Sequence, residues 1–66
     1  RKELFEARKS AVETEILKLQ KTLSLLKFKC WYYETALENG NEDAINAMLP
    51  DKLPKNIQKL YDKGHA

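Results

Sequence analysis

The apolar residues of the first forty positions recur at alternating steps of four and three. They run Phe5, Val12, Ile16, Leu19, Leu23, Leu26, Cys30, Tyr33 and Leu37, and Lys9 fills the one polar slot. This is a heptad seam of nearly five repeats, with d at Phe5, Val12, Leu19, Leu26 and Tyr33 and a at Lys9, Ile16, Leu23, Cys30 and Leu37. No Gly or Pro interrupts Arg1 to Asn39, and most residues there are good helix formers. The spacing predicts one helix over about 2–39, roughly 57 Å long at about 1.5 Å per residue.

Asn39-Gly40-Asn41 breaks the pattern. Gly40 suits the left-handed position past a helix C-terminus, and Asn41 suits the N-cap of a second helix. Ile45, Met48 and Leu49 then sit at i, i+3 and i+4 before Pro50, which predicts a short helix over about 42–49. Pro54 opens a last helix over about 54–63, with Ile57, Leu60 and Tyr61 on one face and Gly64 as its stop. No strand alternation competes, so the expected class is all-α in a single domain over 1–66.

A seam this long is not a monomer's surface stripe, because two short helices cannot cover it. The pattern implies a coiled-coil homodimer, its interface made of Phe5, Lys9, Val12, Ile16, Leu19, Leu23, Leu26, Cys30, Tyr33 and Leu37. In a parallel dimer Lys9 meets its own copy, although Arg8 then pairs with Glu13 and Lys29 with Glu34. In an antiparallel dimer centred near residue 21, Lys9 lies against Tyr33, Ile16 against Leu26, Leu23 against Leu19, Cys30 against Val12 and Leu37 against Phe5. There Glu13 meets Lys27 and Glu15 meets Lys29, both attractive, while Glu6 meets Glu34. Exposed pairs contribute only about 0.2–1 kcal/mol each, so the Lys9 layer carries the preference for the antiparallel form.

Past the middle of the helix, Leu25, Phe28, Trp31 and Tyr32 occupy b, c and f positions, which a plain coiled coil leaves to water. Something must cover them, and the two short helices offer Ile45, Met48, Leu49, Leu53, Ile57, Leu60 and Tyr61. Two readings stand side by side. The tail simply caps the aromatic stretch, or Phe28, Trp31, Tyr32, Met48 and Tyr61 wall an effector pocket with phenol and indole groups as polar handles.

Composition excludes several functions. The chain has 66 residues, 42% hydrophobic and 33% charged, too apolar for disorder and too short to enclose a catalytic cleft alone. No run approaches the roughly 18 apolar residues of a membrane span. A net charge of +2 selects no partner, and one cysteine rules out an intrachain disulfide and fits a reducing, cytoplasmic setting. Cys30 and His65 are the only soft ligands, so no metal site is expected; His65 reads as a frayed end. No nucleophile–base pair or phosphate loop is visible, so neither enzymatic activity nor a cofactor is expected. Lys18, Lys21, Lys27 and Lys29 lie in an acid-free stretch and read as a solvated face rather than a nucleic-acid stripe.

From Leu25 to Glu34 the chain reads Leu-Leu-Lys-Phe-Lys-Cys-Trp-Tyr-Tyr-Glu, succeeded by a short tail containing Gly40. This stretch, on a long helix that opens with Arg1-Lys2-Glu3-Leu4-Phe5-Glu6, resembles the C-terminal half of MerR-family transcriptional regulators. The resemblance covers about residues 1–45. It implies an antiparallel homodimer that receives an effector and controls promoter geometry. Promoter DNA and RNA polymerase would be reached only through an N-terminal winged helix-turn-helix domain, which this chain lacks. The start at Arg1 fits a piece of a longer protein. Metal sensing is not implied, since residues 1–15 and 40–66 hold no cysteine; a small organic effector or a redox signal is. The alternative from another class is a structural coiled-coil module that only holds two proteins together.

Overall fold

The computed structural model describes all residues, 1–66. Three helices occur in order: α1 over Lys2–Asn39, α2 over Asp43–Met48 and α3 over Lys55–Gly64. The chain is all-α, as expected. α1 sets the long dimension of 58 Å, and the tail packed beside it widens the molecule to 19 Å.

The helix ends obey local chemistry, with small corrections. Gly40 closes α1 at φ 79°, a left-handed backbone that favours glycine, and its N–H donates to the Leu37 carbonyl. Asn41 does not itself occupy the N-cap of α2; Glu42 does. Asn41 nevertheless supplies a capping bond, because its Oδ1 accepts from the Asp43 backbone N–H at 3.0 Å. α2 ends at Met48, since Leu49 precedes Pro50 and is extended at ψ 145°. Pro54 sits at the N-cap of α3 rather than at its first helical position.

The connector between α2 and α3 is tied by one side chain. Gln58 Oε1 accepts from the Leu53 N–H at 3.0 Å, and Gln58 Nε2 donates to the Pro50 carbonyl at 2.8 Å and to Asp62 Oδ1 at 2.9 Å. These bonds satisfy backbone groups that no helix ladder reaches. Leu53 is thereby held inward, where it is buried with Phe28 and Ile57.

α3 runs back along α1. Ile57 and Tyr61 lie at Phe28, Gly64 at Leu25, and the Ala66 carbonyl accepts from Lys21 Nζ at 2.6 Å. The core is small: Phe28, Ile45, Leu53 and Ile57, with Ser24 beside them. Ser24 is buried without cost in lost hydrogen bonding, because its hydroxyl donates to the Gln20 carbonyl one turn back at 3.0 Å. Cover by the tail therefore stops near Lys21, and the first twenty residues of α1 carry none.

Candidate functional site

α1 presents two opposite faces with opposite fates. On a heptad wheel, b, c and f positions lie across the helix from a and d. The tail takes the first set: Ser24 and Phe28 are buried, and Leu25, Trp31 and Tyr32 are half-buried. The seam is left bare along its whole length. Exposure of its large apolar side chains runs from 47% at Ile16 to 84% at Leu37, and Lys9 and Cys30 are exposed as well. Leu4 and Leu17 are exposed off the seam. A contiguous apolar strip of this length is more than a small protein leaves to water without a purpose.

The five proposed effector residues do come together. Phe28 lies at their centre, with ring centroids 5.2 Å from Tyr61 (edge-on), 6.0 Å from Trp31 and 6.2 Å from Tyr32. Met48 packs against the same cluster. They meet as a packed group in which side chains fill the space between the helices. The one hollow in the protein lies elsewhere, an open depression of about 280 Å³ on α1 lined by Glu13, Ile16, Leu17 and Gln20.

The polar handles on the cluster are engaged within the chain. Tyr32 donates its hydroxyl to Asn46 Oδ1 at 3.1 Å, which fastens α2 to α1. Partial desolvation under the tail, and after it the nearby Glu42 carboxylate, holds its phenol above the ordinary tyrosine value. His65 is not frayed, contrary to the expectation for a chain end. Its ring stacks on Tyr61 at 4.1 Å and its Nδ1–H donates to the Tyr61 carbonyl at 2.7 Å. Two further contacts had no sequence signal: the Lys21–Ala66 bond and the close approach of Gly64 to Leu25.

No protein-family model, curated protein or solved structure matches the chain. No helix is long and apolar enough to cross a membrane, and no three His, Cys, Asp or Glu side chains stand close enough together to hold a metal ion. What the molecule does offer is an exposed apolar strip along a long helix, with a small folded tail packed on the opposite face.

Proposed function

We propose that this chain is the dimerisation and effector-reception part of a MerR-like, cytoplasmic bacterial transcriptional regulator, acting as an antiparallel homodimer. The observation that carries the dimer is the division of α1: the tail covers the face opposite the seam and leaves every seam position open to a partner helix. Fully burying one Leu or Ile is worth about 1.5–3 kcal/mol, so pairing these layers is a large driving force. The link to transcription rests on the resemblance of residues 25–34 and on this geometry together. In such a regulator the rod sets the distance between two DNA-binding domains, and RNA polymerase meets the promoter in the geometry that the dimer imposes.

An organic effector would act at Phe28, Trp31, Tyr32, Met48 and Tyr61 by displacing part of the tail, because the packed rings hold no ready-made hollow. That is a population shift between a closed and an open tail. The same packing favours the second reading, a purely structural coiled-coil module whose tail only covers its aromatic stretch.

Sedimentation equilibrium tests the dimer. Wild type should be dimeric at micromolar concentration, and Leu19→Asp should be monomeric because a central layer would bury an unpaired charge. A Leu19→Asp dimer as stable as wild type would overturn the seam. Binding of the longer gene product to its own promoter separates the regulator from the structural module.

A further inference from the structure

The hollow on α1 is unused by anything in the chain. Its lining residues Glu13, Ile16, Leu17 and Gln20 stand at i, i+3, i+4 and i+7. Side chains so spaced are neighbours on the helix surface and bound a shallow diamond beside the seam. Its floor is apolar, with Ile16 on the seam and Leu17, 66% exposed at a b position, on the flank away from it. Its lip is acidic at Glu13, which has no ion-pair partner in the chain. A flexible apolar stem ending in a positive charge complements both the floor and the lip.

We infer that this hollow seats the Lys27 side chain of a second, antiparallel copy, with its alkyl stem over Ile16 and Leu17 and its ammonium at Glu13. The inference rests on the dimer proposed above and adds a seat beside the seam that only the antiparallel direction fills. In the register that pairs Ile16 with the partner's Leu26, the e positions face one another, and Glu13 stands opposite the partner's Lys27. Lys27 is exposed and unpaired in its own chain. A lysine suits the seat because its four methylenes lie along apolar surface while the ammonium stays at the rim. Two-fold symmetry makes the seat twice per dimer, on both sides of the axis near residue 21. Within one chain Glu13 and Lys27 are fourteen residues apart, roughly 21 Å along the helix, so they cannot meet there.

A charge-swap cycle on the full chain tests this, with dimer dissociation constants from sedimentation at low salt. Glu13→Lys and Lys27→Glu should each weaken the dimer about fivefold, and the double swap should return to within about twofold of wild type. Leu17→Ala should weaken it about threefold by shortening the apolar floor. Strictly additive swaps, in a chain that still dimerises, would overturn the seat and leave the dimer standing. Rescue of Glu13→Lys by Arg8→Glu instead would show parallel chains and overturn it as well. A wild-type chain that stays monomeric at every concentration would remove the dimer and the seat together.

Discussion

Gly64 brings its Cα so close to Leu25 that no side chain fits between them. A Cβ at position 64 would stand 2.6 Å from both Cγ and Cδ2 of Leu25, and 3.3 Å from the Leu25 backbone nitrogen. Gly64 is buried inside the last turn of α3, and the residue after it, His65, has an ordinary negative φ. The glycine is needed here for closeness between helices rather than for a left-handed turn.

Gly64→Ala should accordingly loosen the tail, although alanine is the better helix former by about 1 kcal/mol. The branch point of Leu25 would have to move, and overpacking of this kind costs about 1–3 kcal/mol. Thermal unfolding monitored at Trp31 should show the loss, and Leu25→Ala in the same chain should recover part of it. A Gly64→Ala protein more stable than wild type would mean that the two helices separate freely.

Removing the tail gives a more direct reading of its role. Trp31 is half-buried in the cluster around Phe28. A chain ending at Gly40 should show red-shifted Trp31 emission, as the indole gains water on the face that α2 and α3 cover. The seam lies on the other side of α1, so the truncated chain should still dimerise. Unshifted emission would mean that Trp31 owes its shielding to something other than the tail.

The architecture was legible in the sequence because its signals are local. Gly40, Pro50 and Pro54 punctuate the chain, and the three helices stand within a residue of where those breaks place them. The two faces of α1 were legible for the same reason, since heptad position alone separates Leu23 and Leu26 from Phe28 and Trp31. Contacts that depend on how the tail folds back carry no such periodicity. Gly64 looks like a helix stop from its neighbours, and only the proximity of Leu25 reveals its other reason. Gln58 looks like one more polar helix residue until its amide meets Leu53 and Pro50. The residues expected to wall an effector pocket illustrate a different limit: their spacing brings aromatic rings together, but whether those rings enclose a space or fill it is decided by ring tilts and by α3.

Alkaline conditions should weaken the hold of α2 on α1 through Tyr32. Its phenol is raised from the ordinary value of 10.0, first by desolvation and then by the Glu42 carboxylate. A raised folded-state value means that the neutral phenol is favoured by the fold. The stabilisation is fully present below about pH 10 and is lost as pH climbs through the folded value, where the phenolate would be partly desolvated and face the Glu42 carboxylate. Stability measured from pH 8 to 11 should fall more steeply for wild type than for Tyr32→Phe. Parallel curves would mean that Tyr32 titrates alike in the folded and unfolded chain.

Cys30, exposed on the a/d face of α1, gives a test of chain direction in the proposed dimer. In a parallel dimer its two copies would share one layer, where Cα atoms can approach the roughly 4.4–6.8 Å that a disulfide needs. In the antiparallel register they lie about nine residues to either side of the centre near residue 21. That separates them by roughly 27 Å, a gap no local breathing closes. Mild oxidation of dilute wild type should therefore yield little covalent dimer. Val12→Cys should change this, because position 12 of one chain faces Cys30 of the other in the same layer. The double-cysteine chain should crosslink at both ends of the rod and remain dimeric in denaturant until reductant is added. Efficient crosslinking through Cys30 alone would overturn the antiparallel arrangement, and with it the pairing of Glu13 with Lys27.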